Sequence, residues 1–241
     1  MTSYVCLDRC HSDWHQILVN ALETMDKDYL QQLSAADNWL PENAHLYAAF
    51  SLPLSETKYL LVGESPYPRT ASANGYAFWD NAVDSLWSTK GLSTAVNRAT
   101  SLRNWIKMML VARGDLEADD TSQESIARLD KHGLVQTAEQ LFLGMMDKGI
   151  LLLNATLVYS EGKVPFHARH WKPFMQSILQ QLALVKPDIQ LILFGKIAET
   201  IPQDQLSVGL VAEHPYNISF ITNPRVIEFF KPLDLLHYDE E

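Results

Sequence analysis

The chain has 241 residues, of which 47% are hydrophobic, which is enough for one sizeable core. Its formal net charge of −10 argues against a protein that coats nucleic acid indiscriminately, but it allows a local basic face. The sequence has no apolar amino-terminal signal and no apolar run long enough to span a membrane, so we expect a cytoplasmic or nucleoid-associated protein.

The two cysteines of the chain, Cys6 and Cys10, are too few and too close for a secreted disulfide framework. His11 and His15 follow them, so four soft metal ligands lie within ten residues. In a helix, however, the histidines would lie roughly 100° around from the cysteines. Because this spacing also matches no standard zinc pattern, we predict no metal and no cofactor.

Hydrophobic spacing in the first third of the chain predicts two helices and a strand. Apolar residues recur at helical spacing over 13–35, and a short helix is expected over 45–50. The apolar run 59–62 predicts a buried strand that ends in the Gly-polar-polar-Pro turn of 63–66. Such an edge is where open α/β folds place ligand sites.

The remaining two thirds alternate helices with strands. Helices are expected at 101–111, 132–146, 171–184 and 223–231, and strands at 149–154, 189–194 and 208–212. This alternation predicts a largely parallel sheet covered on both faces, in the α/β class. The segment 113–131 is rich in Asp, Glu and Ser and predicts an extended acidic connection within a single domain over 1–241.

Three of the predicted strands end at polar groups, which are Glu64–Ser65, Asn154 and His214. Because the carboxyl ends of parallel strands meet at one edge, a carboxylate or hydroxyl, an amide and an imidazole are expected in one crevice. Tyr67 and Phe78 are available as stacking surfaces. This set suits a flat, hydrogen-bonding ligand such as a nucleobase.

Here the sequence resembles the uracil-DNA glycosylases of the family-1 type, whose first motif is Gly-Gln-Asp-Pro-Tyr-His and whose last begins His-Pro-Ser-Pro-Leu. The counterparts are Gly-Glu-Ser-Pro-Tyr-Pro at 63–68 and His-Pro-Tyr-Asn-Ile at 214–218. Further matches follow in order at 75–78, 101–104 and 151–154, so the resemblance covers nearly the whole chain. It implies a three-layer αβα sandwich around a four-stranded sheet.

The resemblance also implies roles for individual residues. Phe78 would stack on a uracil flipped out of DNA, Asn154 would bind its amide edge, and Tyr67 would exclude thymine at C5. His214 would donate a hydrogen bond to the departing uracil anion. DNA contacts would come from Ser101, Pro215, Ile218, Ser219 and His167, with Ile218 entering the gap left in the duplex.

The sequence departs from the family at the position of the water-activating aspartate, which is Ser65. Loss of a positioned general base typically costs about 10²–10⁴ in rate. Glu64 could partly replace the missing carboxylate, or its side chain could turn away and leave only its backbone N–H at the pocket. Pro68 and the pair at 216–217 replace the family's histidine and Ser-Pro, and both changes weaken expected contacts with DNA.

Two groups of basic residues could form a modest phosphate-binding surface or be scattered solvating charges. They are Lys163, His167, Arg169, His170 and Lys172, and Arg69, Arg98, Arg103 and Lys107.

Three functions remain open from the sequence. The first is a divergent, monomeric glycosylase that removes uracil or a related base from single- or double-stranded DNA in base-excision repair. The second is the same fold without catalysis, binding nucleic acid or a protein partner. The third is a hydrolase of free nucleosides or another glycosidic bond.

Overall fold

Four parallel strands flanked by helices form the central sheet in the computed structural model, which describes residue 7 and residues 9–238. The strands are β1 (Tyr59–Gly63), β2 (Trp87–Ser88), β3 (Gly91–Leu92), β4 (Ile150–Asn154), β5 (Gln190–Phe194) and β6 (Ser207–Ala212). The central sheet has the order β4-β1-β5-β6, and β2 and β3 form a separate antiparallel pair. The predicted α/β class with a four-stranded sheet is therefore confirmed.

Nine α-helices lie in the described part of the chain. They are α1 (His15–Glu23), α2 (Lys27–Ala35), α3 (Thr94–Arg98), α4 (Thr100–Arg113), α5 (Gln123–Arg128), α6 (Ala138–Asp147), α7 (Val164–Val185), α8 (Ile197–Thr200) and α9 (Pro224–Phe230). In the same described residues, no helix is long and apolar enough to cross a membrane.

The chain divides into two compact units. The first runs to Asp80 and includes Gly149–Ile192 and Glu199–Gly209. The second comprises Asn81–Lys148, Leu193–Ala198 and the residues from Leu210 onward. The assignment of the whole chain to a single domain stays a prediction.

The first unit is built on apolar strands and a buried tryptophan. The side chains of Leu60, Leu61 and Val62 in β1 are fully buried. Trp14 is also fully buried, and its indole N–H donates to the carbonyl of Leu52 at 2.7 Å. Because the polar end of this tryptophan is satisfied, it can fill the core without an unpaired donor.

The second unit is centred on Trp105 of α4, which is 2% exposed. Its ring contacts those of Phe194, Phe220 and Phe230 edge to face, with centroid distances of 5.5, 6.3 and 5.6 Å. Edge-to-face pairs are favoured by the ring quadrupoles, so this cluster holds α4 against the end of β5, the 3-10 turn Ile218–Thr222 and α9.

The single helix predicted over 13–35 is wrong, because the structure has two helices there. The break follows Glu23, and Asp26 then caps α2 by accepting a hydrogen bond from the backbone N–H of Tyr29 at 2.8 Å. Met25 remains buried within the break, which keeps the apolar spacing continuous and hides the interruption.

Several other helix boundaries also differ from the prediction. The helix expected over 132–146 begins only at Ala138, where Thr137 and Gln140 form a capping box. The helix expected from residue 171 already begins at Val164, with proline in its first turn. The segment 113–131 is not wholly extended, since it contains α5, and two 3-10 turns replace the helix expected over 45–50.

Candidate functional site

The ends of β1 and β4 lie side by side, as the sequence predicts. Gly63 is paired with Asn154, and the ladder continues beyond the strands through Ala155 N–H to Gly63 C=O at 2.8 Å and Thr156 N–H to Glu64 C=O at 3.1 Å. Asn154 is 3% exposed. Its side chain is therefore held at the carboxyl edge of the sheet by a rigid backbone.

Gly63 is required by the close approach of Asn154. A Cβ at Gly63 would lie 2.5 Å from Asn154 Oδ1 and 2.8 Å from the Cβ of Ala77, both closer than real Cβ contacts. Any larger residue at this position would displace the amide of Asn154.

Phe78 lies half-buried on a turn with an unusual backbone conformation. Its φ is +64°, in the left-handed region that non-glycine residues rarely adopt. Such a conformation costs about 1–3 kcal/mol and persists where neighbouring contacts hold it. One such contact precedes it, since the N–H of Ala77 donates to the carbonyl of Leu152 in β4 at 3.0 Å.

Tyr67 supplies a second contact that holds this turn, because its hydroxyl donates to the carbonyl of Phe78 at 3.2 Å. Burial, followed by the charge of Asp80, raises the pKa of Tyr67 to about 12, so the phenol is neutral and can donate. We call Gly63, Tyr67, Phe78 and Asn154 the strand-end cluster.

An ion pair that the sequence did not reveal adds a further link beside the strand-end cluster. Arg69 Nη2 lies 3.0 Å from Oδ2 of Asp80, and Asp80 is 5% exposed. The sequence predicts for Arg69 either a phosphate contact or a solvated surface charge. The structure instead ties its guanidinium to the residue that follows Phe78 by two positions, so the loop after β1 and the Phe78 turn are linked by two side-chain bonds.

Glu64 and Ser65 differ in exposure at the turn after β1. Glu64 is exposed, while its carbonyl is fixed by Thr156, and Ser65 is half-buried. The backbone of the turn is thus set by the strand ladder, and the carboxylate of Glu64 is directed towards water rather than into the protein interior.

His214 lies in the second unit, two residues after the end of β6. Its Nδ1 accepts a hydrogen bond from the backbone N–H of Tyr216 at 3.1 Å. A neutral imidazole that accepts at Nδ1 carries its proton on Nε2. We call residues 214–218 the tip loop.

Asn104 of α4 holds the tip loop from beneath, a role that sequence reasoning missed. It is 1% exposed, and its Nδ2 lies 2.9, 3.2 and 3.4 Å from the carbonyl oxygens of Pro215, Tyr216 and Asn217. Its Oδ1 accepts from Arg103 Nε at 3.2 Å. No sequence signal indicated this role, because Asn104 lies roughly 200° around the predicted helix from Leu102, on the side away from its apolar residues.

The residues predicted to contact DNA occupy different environments. Ser101 is half-buried in the first turn of α4, Ile218 is 79% exposed, Ser219 is exposed and Pro215 is buried. Exposure suits Ile218 and Ser219 to a surface contact, whereas Pro215 could contribute only through the shape of the loop.

His167 does not lie on the surface with the neighbouring cations, in contrast to its predicted place among the DNA contacts. It is 4% exposed, and its Nδ1 is 2.8 Å from the hydroxyl of Tyr29, which also accepts from Trp171 Nε1 at 2.9 Å. Burial, followed by the charges of Lys163 and His170, lowers its pKa. The physical reason is helical geometry, because His167 shares the buried face of α7 with Trp171.

The cysteines and histidines of 6–15, for which the sequence predicts no metal, are only partly described by the structure, since Cys6 lies outside the described residues. Within the part of the chain that is described, no three His, Cys, Asp or Glu side chains form a group that could hold a metal ion.

Comparisons with known proteins point to one family. A model of the uracil DNA glycosylase superfamily matches residues 51–239. The uracil-DNA glycosylase of Streptococcus uberis is 25% identical over 236 residues, covering 95% of this chain and 86% of its own. That of Pediococcus pentosaceus is 26% identical over 194 residues, covering 78% and 71%.

Two solved structures are similar to this chain to different degrees. The wild-type UNG of Nitratifractor salsuginis superposes with a TM-score of 0.91 at 43% identity, covering 97% of this chain and 95% of that one. The mimivirus uracil-DNA glycosylase superposes with a TM-score of 0.57 at 15% identity over 88% and 72%, which reflects the shared fold. Since the superfamily model spans most of the sequence, this chain belongs to the uracil DNA glycosylase superfamily.

Proposed function

We propose that this protein is a uracil-DNA glycosylase that hydrolyses the bond between a flipped uracil and its deoxyribose. We place it nearest the family-1 branch of the superfamily, because the segments at 63–68 and 214–218 resemble that branch's first and last motifs in order, with departures in both. The observation that carries the proposal is the buried amide of Asn154, fixed against Gly63 beside the Phe78 turn.

The chemistry of an amide explains a preference for uracil. Asn154 can donate from Nδ2 to the O4 acceptor of uracil and accept at Oδ1 from its N3–H. Cytosine presents the opposite pattern, with a donor at N4 and an acceptor at N3, so in the same orientation of the amide Nδ2 would face a donor and Oδ1 would face an acceptor. A site built for such hydrogen bonds rejects a mismatched analogue strongly.

The other members of the strand-end cluster suit the remaining faces of the base. The half-buried ring of Phe78 provides a stacking surface whose backbone is held by Tyr67. We assign the ring of Tyr67 to the space beside C5, where it would exclude the methyl group of thymine.

His214 is assigned the role of hydrogen-bond donor to the departing base, on the family resemblance and on the bonding within its own loop. Its Nδ1 accepts from Tyr216, which places the proton of the neutral ring on Nε2, and we assign Nε2–H as the donor. A preorganised donor of this kind typically contributes about 10²–10³ in rate, because negative charge develops on the base as the bond breaks.

Activation of the attacking water is the step in which this chain departs from its family. The Ser65 hydroxyl cannot take a proton from water as a carboxylate does, whereas Glu64 next to it is exposed to solvent. We propose that Glu64 partly supplies the missing negative charge, and that the reaction is slower than one with a positioned aspartate.

Release of free uracil from a uracil-containing single-stranded oligonucleotide, quantified by mass spectrometry, tests this function. We expect measurable release by the wild-type protein and a loss of at least about 100-fold in Asn154→Asp. Ser65→Asp should increase the rate, and Glu64→Gln should decrease it. Absence of release from any uracil-containing DNA would reject the proposal.

A second candidate, a glycosylase fold that binds nucleic acid without turnover, is favoured by Ser65 alone. It predicts binding of uracil-containing DNA by the wild-type protein with no release, and release only in Ser65→Asp. Turnover by the wild-type protein excludes it.

A further inference from the structure

The tip loop presents an aromatic side chain to solvent that has no counterpart in the family motif quoted above. Tyr216 is 66% exposed, the largest exposed fraction of any aromatic side chain in the described part of the chain. Ile218, two residues later, is 79% exposed. Large apolar side chains so exposed on one short loop indicate a contact surface rather than a packing element.

The backbone beneath Tyr216 is fixed, so its exposure does not reflect a loose loop. The Tyr216 N–H donates to His214 Nδ1, its carbonyl accepts from Asn104, and the N–H of Asn217 donates to the carbonyl of His214 at 2.9 Å. A 3-10 turn, Ile218–Thr222, follows directly and buries Phe220 completely. The phenol ring is therefore presented from a preformed support, which lowers the entropic cost of a contact.

An exposed aromatic ring is well suited to stack on a nucleobase. Each base has a flat π face, so such stacking tolerates any sequence. The bases of a duplex already stack on each other, whereas those of a single strand are free to accept a new partner. Arg103 of α4 could otherwise provide the main contact with DNA from this helix. Its guanidinium already donates to the carbonyl of Asn97 at 3.2 Å and to Asn104.

We propose that Tyr216 is a base-stacking residue that binds a nucleobase flanking the excised one in single-stranded DNA. The inference rests on the proposed glycosylase function and specifies its substrate. Tyr216 raises affinity for single strands, and Ile218 provides an apolar neighbour on the same support.

Steady-state kinetics of uracil release from a single-stranded oligonucleotide and from its matched duplex test the proposal. Tyr216→Ala should raise KM for the single strand about 5- to 100-fold, while kcat and the KM for the duplex change less than about threefold. Tyr216→Phe should retain the wild-type KM, because the ring is kept. Tyr238→Ala removes another exposed tyrosine of the same unit and serves as the matched control.

A substrate change locates the contact on the DNA. An abasic linker placed next to the uracil, on one side or the other, should raise the wild-type KM on the side where Tyr216 stacks and cause no further loss in Tyr216→Ala. Equal KM changes on single strand and duplex would overturn the proposal. So would Tyr216→Phe behaving like Tyr216→Ala, because that result would assign the contact to the hydroxyl.

Equilibrium binding separates this inference from the proposed function. Fluorescence anisotropy with a labelled single-stranded oligonucleotide lacking uracil should show weaker binding by Tyr216→Ala than by the wild type and the Tyr238→Ala control. If no uracil is released, the proposed function fails, yet a binding loss confined to Tyr216→Ala still supports base stacking. Unchanged binding in Tyr216→Ala overturns it.

Discussion

The strand-end cluster and the tip loop place functional groups by different physical means. In the strand-end cluster, a parallel ladder and close packing against Gly63 hold the buried Asn154. In the tip loop, hydrogen bonds from Asn104 hold a backbone whose side chains at 216 and 218 reach solvent. Changes in the cluster should therefore affect stability and activity together, whereas side-chain changes in the tip loop should affect activity alone.

The largest loss of activity without a matching loss of stability is expected when His214 is replaced. His214→Ala removes the donor at Nε2 and should lower kcat for uracil release by about 10²–10³. Its free energy of unfolding should change by less than about 0.5 kcal/mol, because the side chain is only half-buried on a loop. Chemical denaturation and single-turnover kinetics measure both quantities. His237→Ala, at an exposed position of the same unit, is the control, and a small rate effect at His214 would contradict the assignment.

In the strand-end cluster, Gly63→Ala should impair both properties. The new Cβ would overlap Asn154 Oδ1, so we expect a loss on the order of 10² in kcat/KM and about 1–3 kcal/mol of stability. Gly144→Ala is the matched control, because a Cβ there meets no atom within 4 Å and the residue lies inside α6.

The control should stabilise the protein by about 0.5–1 kcal/mol, as expected for glycine replaced by alanine within a helix. Full activity in Gly63→Ala would show that Asn154 can move without cost and would weaken the contrast between the two regions.

Asn104 of α4 supports the tip loop, and the contrast should fail for this residue because it is buried. Asn104→Ala leaves carbonyls of the tip loop without their donor and should cost about 1–3 kcal/mol of stability. Asn104→Asp should be worse, since a carboxylate would face carbonyl oxygens. Thermal unfolding and the KM for uracil-containing DNA measure the effect. Equal behaviour of Asn104→Ala and a wild-type protein would show that the loop supports itself.

The features that sequence reasoning predicted are those with local signals. Each strand of the central sheet is an apolar run ended by a glycine or polar residue, so β1, β4, β5 and β6 and the polar residues at their ends were predictable. The hydrogen bonds of Asn104 were not, because its partners lie 111 to 113 residues away. No local pattern identifies such a partner.

The burial of His167 was not predicted from the sequence for a related reason. A run of basic residues predicted a surface, while the helical spacing of His167, Trp171 and Phe174, which shows the buried face, became informative only once α7 was seen to begin at Val164. The Arg69–Asp80 pair was hidden similarly, since charge alone gives Arg69 no reason to prefer a carboxylate over solvent or phosphate.

The smallest predicted effect is a pH dependence of stability at His167. The hydroxyl of Tyr29 accepts from Trp171, which leaves its proton for Nδ1 of the neutral ring of His167. The pKa of His167 is lower in the native protein than in the unfolded chain, where it is near 6.5, so protonation of this side chain favours unfolding. The contribution of neutral His167 to the free energy of unfolding is therefore complete above about pH 6.5 and is lost as the pH falls through the lowered native pKa.

His167→Gln keeps an acceptor for Tyr29 but removes the titrating group, so its Tm should fall less than that of the wild type between pH 7.5 and pH 5. His237→Gln, at an exposed position, should show the wild-type fall. Calorimetric Tm values of the three proteins at both pH values measure this difference. An equal fall in all three proteins would mean that protonation of other groups governs the acid sensitivity, because the buried acceptor at Nδ1 would then contribute nothing to it.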